Sequence, residues 1–332
     1  MTLSRNRIGC LLLAILLSLS TACGSTGGAE QAGPSWSHQL PELQPLSLSP
    51  GQKLQVVATT NIVGDVARNV GGDLIDLNVL LQVGRDPHSY QPVPSDLTAV
   101  SRAHLVLASG FGLEEFLLSM LRNAGGSAAL AYVSSGIEPR AGHDHEGDQS
   151  ATADEDHEAA DPHVWLDVRH VLLWADNIAT VLGALDPSNA PTYQGNAAAY
   201  KARLEELDQW IIEQVALIPA RNRRLVTNHE AFGYYAERYD LEQVGTVYPI
   251  SPSAEPSAQD VAKLETAIRE LGVKAIFTES TVNPRLAERI AQDAGAKVVP
   301  LYSGSLGSPG SGAETYIDMM RYNTNSIVSA LR

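Results

Sequence analysis

The stretch PTYQGNAAAYKARLEELDQWIIEQVALIP, residues 191–219, divides the chain into two halves. Pro191 suits the first turn of a helix, and Pro219 ends the pattern. Between them apolar residues recur at spacings of three and four and form one stripe: Ala197, Tyr200, Leu204, Leu207, Ile211 and Val215. The spacing predicts a linking helix over residues 191–218, about 40 Å long, which can join two domains as a rigid strut.

On both sides of this helix, short apolar strands alternate with helical segments. The predicted strands are 54–58, 74–81, 105–108, 225–227, 244–247, 273–278 and 297–301. The predicted helices are 61–70, 113–121, 164–185, 258–271, 285–294 and 313–331, with a further helix starting at Phe232. Such alternation is typical of parallel sheets covered by helices. The sequence therefore predicts an α/β fold with two parallel-sheet lobes, residues 53–190 and 222–332, and a ligand site in the cleft between them.

The N-terminal residues indicate export. Arg5 and Arg7 precede an apolar run, 8–19, which is too short to span a bilayer and reads as a signal peptide over residues 1–22. Small residues then lead into Cys23, a pattern that resembles a bacterial lipobox and predicts a lipid anchor on this cysteine. The alternative is an ordinary signal followed by an unmodified cysteine. Residues 23–52 are predicted to be a flexible, lipid-anchored tether outside the cytoplasm.

Composition limits the classes of function. The chain has 44% hydrophobic and 18% charged residues, which is enough apolar material for packed cores. Its formal net charge of −15 argues against nucleic acid as a partner and suits a cationic ligand. Its two cysteines are Cys10 and Cys23, so the mature domain has no thiol, and a metal site there must use His, Asp or Glu.

Three histidines fall at the places where such a cleft is expected. His88 lies in DPHSY just after the second strand, His163 in DPHVW at the start of a helix, and His229 in TNHE after the first strand of the second lobe. Proline restricts its own backbone and that of the residue before it, which favours a preorganised ligand. Asp86 and Asp161 are candidates to orient the neighbouring imidazoles.

A segment over residues 141–160 interrupts the first lobe. It holds three histidines among acidic and small residues, namely His143, His145 and His157, and no large apolar residue. It is predicted to be a mobile loop, because it cannot bury a core. It can act as a low-affinity metal collector on a tether, or as an insertion without a role.

The motifs together resemble a known family. They are DPHSYQP (86–92), DPHVWLD (161–167), TNHEAFGY (227–234), EPS (255–257), FTES (277–280), and the pairs 315–316 and 322–323. In this order they resemble the zinc and manganese substrate-binding lipoproteins of ABC transporters, the cluster A-I proteins, and the zinc branch among them. The resemblance implies two α/β lobes with metal in the interlobe cleft and His88, His163 and His229 as its ligands.

One position departs from the family pattern. The family's fourth ligand is often an Asp followed by Ser-Leu-Gly, and here Gly304 occupies that place in SGSLG, residues 303–307. Water, Glu255 or Glu279 could complete the metal shell, although Glu279 could instead cap a helix or support a ligand. Three imidazoles favour zinc, whereas manganese prefers more oxygen ligands. The histidine-containing loop also favours zinc, because zinc members of the family often carry one.

The resemblance implies a monomeric protein that is not an enzyme. It would bind Zn2+ as transported ligand and deliver it to the membrane permease of an ABC transporter. The first alternative is a manganese-binding or other divalent-metal-binding protein of the same family. A zinc-dependent hydrolase with Glu230 as base, and an adhesin with a structural metal, are the others.

Overall fold

The first lobe is built on a parallel sheet of four strands in the order β2-β1-β3-β4. A computed structural model describes residues 39–49, 51–141, 160–248 and 256–332 of the chain. The strands are β1 (Leu54–Ala58), β2 (Ile75–Val79), β3 (Leu105–Ala108) and β4 (Ala129–Tyr132). The helices of this lobe are α1 (Asn61–Gly71), α2 (Pro94–Arg102), α3 (Glu115–Ala124) and α4 (Val168–Leu185).

The second lobe repeats this layout. Its four parallel strands have the order β6-β5-β7-β8, so that in both lobes the first strand lies between the second and the third. The strands are β5 (Arg224–Thr227), β6 (Glu242–Thr246), β7 (Ala275–Glu279) and β8 (Lys297–Leu301). After the linking helix α5 (Ala190–Ala216), the helices are α6 (Gly233–Arg238), α7 (Ala258–Leu271), α8 (Arg285–Ala294) and α9 (Tyr316–Leu331).

The linking helix α5 has 27 residues, and its predicted apolar stripe is buried along its whole length. It packs against α1 and α4 of the first lobe and against α9 of the second. One hydrophobic core accordingly runs through both lobes and includes Val66, Leu204, Leu225 and Met319. Because the lobes share a core with the strut between them, a large hinge motion would expose apolar surface.

Local sequence signals explain several boundaries. The Thr60 hydroxyl accepts a hydrogen bond from the Val63 backbone N–H at 3.1 Å and so caps α1. Thr315 caps α9 in the same way through Asp318, which is why this helix begins at Tyr316 and not at residue 313 as predicted. Among the described helices, none is both long enough and apolar enough to span a membrane.

The predicted two-lobed α/β fold is confirmed, with differences in detail. Helix α2 and strand β4 were absent from the sequence prediction, and α3 begins and ends later than the predicted 113–121. The tether prediction for residues 23–52 was too long, because Leu40, Leu43 and Leu48 pack against the core. The backbone N–H of Leu46 also donates to the Leu185 carbonyl at 2.8 Å.

Several predictions fall outside the described residues. They concern the signal peptide, Cys23, most of the tether, Glu255 and the loop histidines His143, His145 and His157. Ala141 and Ala160, which flank that segment, form an antiparallel bridge, so its two ends lie side by side.

Candidate metal centre

His88 is held by the turn that carries it. One oxygen of the Asp86 carboxylate accepts the His88 backbone N–H at 3.0 Å, and the other accepts the Ser89 hydroxyl at 2.9 Å. Asp86 thus fixes the backbone of this loop. The sequence made Asp86 a candidate to orient the imidazole, but its hydrogen bonds go to the His88 backbone and the Ser89 hydroxyl instead. His88 is the exposed member of the three histidines.

His163 is buried and oriented by its own motif. The Asp161 carboxylate lies 2.8 Å from His163 Nδ1 and also accepts the His163 backbone N–H at 3.0 Å. With Nδ1 engaged in this way, Nε2 is left free to bind a ligand. The Trp165 indole packs edge-on against the imidazole, with ring centroids 5.4 Å apart.

His229 follows β5, and its partner comes from the neighbouring strand β7. One oxygen of Glu279 lies 2.6 Å from His229 Nδ1 and accepts the His229 backbone N–H at 3.1 Å. Burial alone would lower the pKa of His229, but the Glu279 carboxylate outweighs burial and raises it. Burial alone would raise the pKa of Glu279, but the charge on His229 and hydrogen bonds from His229 and Ser303 lower it. The two groups form a buried ion pair.

The structure brings the three predicted histidines together. The Nε2 atom of His163 lies 3.0 Å from Nε2 of His88 and 3.2 Å from Nε2 of His229. Nitrogens at two corners of a tetrahedral zinc site with bonds of ~2.0–2.1 Å are about 3.3 Å apart. Although part of His88 faces solvent, desolvation by the surrounding protein and repulsion from the other two imidazoles lower its pKa to about 2. The lowered pKa disfavours a proton on His88, and the arrangement suits one cation shared by three Nε2 atoms.

The fourth coordination position receives no carboxylate from the described residues. Among them, the cluster of possible ligands consists of His88, His163 and His229. Gly304 is buried beside this cluster, and a Cβ added to it would lie 2.9 Å from Pro87 Cδ and 3.2 Å from Pro87 Cγ. The Glu279 carboxylate lies on the Nδ1 side of His229, and its second oxygen accepts the Ser303 hydroxyl.

The sequence analysis missed the supporting role of Ser303. Its hydroxyl donates to Oε2 of Glu279, the oxygen that does not contact His229, and its carbonyl accepts the Trp165 indole N–H at 2.8 Å. Ser303 therefore links the partner of one imidazole to the aromatic neighbour of another. No local pattern marks this serine, since its contacts come from residues 24 and 138 positions away.

Comparison with known proteins identifies the family. The model of the family described as "ZnuA: Zinc-uptake complex component A periplasmic" matches residues 56–330, which is most of the chain. The chain belongs to this family. It is therefore the extracytoplasmic metal-binding component of an uptake complex, and the histidine cluster lies where the two lobes of this ZnuA-family fold meet.

Similar proteins differ in the metal that their names give. The chain is 33% identical over 323 residues, 97% of this chain and 98% of the relative, to the manganese-binding lipoprotein MntA of Halalkalibacterium halodurans. It is 30% identical over 290 residues, 85% and 90% of the two chains, to the manganese ABC transporter substrate-binding lipoprotein PsaA of Streptococcus pneumoniae strain TIGR4. The solved periplasmic zinc-binding protein TroA of Treponema pallidum has a TM-score of 0.74 and 28% identity, and the match covers 84% of this chain and 99% of TroA.

Proposed function

We propose that this ZnuA-family protein captures zinc outside the cytoplasm and delivers it to the membrane permease of an ABC transporter. The observation that carries the proposal is the convergence of three imidazole Nε2 atoms, two of them buried, at one point between the lobes. In this role the bound metal is cargo, so the site must bind tightly and also release. We further propose that the protein is not an enzyme, in keeping with relatives that are named as transporter components.

The proposed preference for zinc depends on the donor atoms. Three neutral imidazoles suit a tetrahedral zinc ion whose fourth ligand is water, while manganese favours carboxylate and water oxygens. Gly304 supplies no oxygen from the position where a fourth ligand is expected. The names of MntA and PsaA give manganese as their metal. The metal that this protein binds must therefore be measured.

Asp161 and Glu279 have a supporting role in this proposal. Each carboxylate lies within hydrogen-bond distance of Nδ1 of a buried imidazole and also accepts a hydrogen bond from the backbone N–H of the same histidine. Such partners fix ring orientation and keep Nε2 directed at the metal. We therefore propose Glu279 as a partner of His229 and not as the fourth ligand.

The remaining parts of the proposal come from sequence. We propose that Cys23 carries a lipid that anchors a monomeric protein to the membrane. We also propose that His143, His145 and His157 collect zinc at low affinity and raise its local concentration. Glu255 stays a candidate for the fourth ligand alongside water.

The proposal is tested by calorimetric titration of the purified metal-free protein with zinc and, separately, with manganese. We expect one tight zinc site and manganese binding too weak to saturate the protein at micromolar concentrations. Sites built from nitrogen ligands generally bind zinc more tightly than manganese, so tighter zinc binding alone does not identify a zinc protein. The deciding quantity is the affinity for manganese. Saturation at micromolar manganese would contradict the zinc assignment. Failure to bind either metal would contradict the three-histidine site.

The pH dependence of zinc binding should reflect the unequal states of the three histidines. His229, with its raised pKa, keeps a proton above the reference value of about 6.5 and must release it when Nε2 binds zinc. His88, with a pKa of about 2, has no proton to release near neutrality. As the pH is lowered, zinc affinity should therefore begin to fall while the pH is still above ~6.5.

Proton release can be counted by titrating zinc at pH 7 in buffers with different ionisation enthalpies. In Glu279→Gln, burial without the carboxylate should lower the pKa of His229, so fewer protons should be released per zinc at this pH. Glu114→Gln is the matched control, because Glu114 is a buried carboxylate bonded to Thr59, Ser109 and Gly110. An unchanged proton count in Glu279→Gln would contradict the ion pair.

A further inference from the structure

Asn61, the first residue of α1, connects the two lobes beside the metal centre. Its side-chain amide donates to the Leu81 carbonyl at 3.2 Å and to the Ser305 hydroxyl oxygen at 3.1 Å. Its side-chain oxygen accepts the Leu306 backbone N–H at 2.8 Å. Asn61 and Leu81 belong to the first lobe, whereas Ser305 and Leu306 follow β8 in the second. This buried side chain therefore joins two segments that are not adjacent in sequence.

Ser305 completes the connection. Its hydroxyl oxygen also accepts the Gly84 backbone N–H at 2.8 Å, and the hydroxyl donates to the Leu306 carbonyl at 3.0 Å. Ser305 is fully buried, and Asn61 is 8% exposed. A buried polar group without a hydrogen-bond partner destabilises the protein. These groups are partners for one another only while the lobes stay in this arrangement, so the bonds favour it. We call Asn61 and Ser305, with these bonds, the interlobe latch.

The latch holds the first half of the loop that leads to His88. Asn61 binds Leu81, two residues after β2, and Ser305 binds Gly84, which adopts a positive φ of +81°. Three residues further on, Pro87 lies against Gly304, the neighbour of Ser305. The path from the latch to His88 is thus short, and it runs along the backbone from Gly84 through Pro87, which leaves no room for a side chain at residue 304.

His88 needs such support more than the other two ligands do. His163 and His229 are buried, and each has a carboxylate at Nδ1. His88 is exposed, and among the residues that the structure describes none is found hydrogen-bonded to its Nδ1. Its position is set by its loop, so whatever fixes the loop fixes the ligand.

We propose that Asn61 and Ser305 are positioning residues for His88, and that breaking the interlobe latch is the step that allows metal to leave the cleft. The inference rests on the proposed function, in which the three histidines hold the metal. When the latch opens, the 81–88 loop separates from the second lobe and carries His88 away from His163 and His229. Two buried ligands with fixed rings then remain, and zinc exchanges with solvent.

The test is the rate of zinc release, measured by mixing zinc-loaded protein with excess of a colour-forming chelator in a stopped-flow instrument. The variants are Asn61→Ala, Ser305→Ala and the double variant. We expect each single variant to release zinc at least about tenfold faster, because each removes two hydrogen bonds between the lobes and one buried hydrogen bond corresponds to roughly a factor of ten. The double variant should be faster than either single one but by less than the product of the two effects, because the Asn61–Ser305 bond is lost in both. Alanine preserves the start of α1, since it is a good helix former.

Asn177→Ala is the matched control. Asn177 is also 8% exposed, and its amide donates to two backbone carbonyls, of Val133 and Ser135, at 2.8 Å each. Those bonds stay within the first lobe, so the variant should lower the free energy of unfolding without faster zinc release. Equal acceleration in Asn177→Ala, or none in Ser305→Ala, would overturn the latch. Ser305→Ala decides the matter if Asn61→Ala does not fold.

Failure of the latch and failure of the proposed function look different. If the wild-type protein binds zinc tightly and the latch variants release it at the wild-type rate, the latch is wrong and the zinc site stands. If the wild-type protein shows no tight zinc site in the calorimetric titration, the proposed function itself is wrong.

Discussion

Replacing His163 with alanine is expected to abolish tight zinc binding, with a larger effect than any other single substitution in the protein. His163 is central to the cluster, because its Nε2 lies 3.0 Å from that of His88 and 3.2 Å from that of His229. The remaining two nitrogens leave two positions to water. His163 is also buried, so no surface side chain can take its place without rearrangement.

The size of the loss can be estimated from zinc sites in general. If ~10–16 kcal/mol of binding free energy is shared among the ligands, one imidazole contributes ~3–5 kcal/mol, or a factor of roughly 10² to 10⁴ in Kd. Competition with a chelator of known affinity measures this change. His170→Ala is the control, since His170 contacts Val164 and Tyr234 and lies outside the cluster. Equal losses in the two variants would mean that His163 is not a ligand.

The fold could be predicted well from sequence because its signals are local. The α5 stripe and the short apolar strands depend on spacings within one segment, and these elements were placed correctly. Strand β4 has four residues, two of them alanine, and gives too weak a pattern to distinguish from loop. Helix α2 begins at Pro94 directly after a proline-rich turn, so the same residues are typical of continued loop.

The site was predictable only in part for the same reason. Asp161 lies two residues from His163, and the geometry of Asp-Pro-His made it a candidate partner. Glu279 reaches His229 across 50 residues, and Asn61 reaches Ser305 across 244. Such pairs follow from strand order and lobe packing, which local patterns in the sequence do not determine. The ligands could therefore be named before most of the residues that hold them.

Gly304→Asp is expected to change metal selectivity towards manganese. It would place a carboxylate next to the open coordination position, and manganese gains more than zinc from an oxygen donor. The new Cβ would lie 2.9 Å from Pro87 Cδ, and the proline ring cannot move away as a flexible side chain would. The substitution therefore has two effects, a steric push on the His88 loop and a new ligand, which must be separated.

Gly304→Ala separates them, because it adds the Cβ without the carboxylate. We expect Gly304→Ala to weaken zinc binding by displacing Pro87 and with it His88, and to cost ~1–3 kcal/mol of stability, as overpacking commonly does. Measured against Gly304→Ala, Gly304→Asp should strengthen manganese binding by roughly tenfold or more. Adding Pro87→Ala to Gly304→Asp removes the ring atoms that the new Cβ meets and should restore zinc affinity.

Comparing Gly304→Asp with Gly304→Ala also shows where the fourth ligand of the metal lies. A carboxylate at residue 304 that strengthens manganese binding must reach the metal, and the wild-type glycine then leaves that position to water. If Gly304→Asp binds manganese no better than Gly304→Ala, the open position faces another part of the cleft. Glu255 would then be the next candidate, and Glu255→Gln should weaken zinc binding in the wild-type background. The two outcomes assign the fourth position either to solvent beside Gly304 or to a carboxylate from the segment before α7.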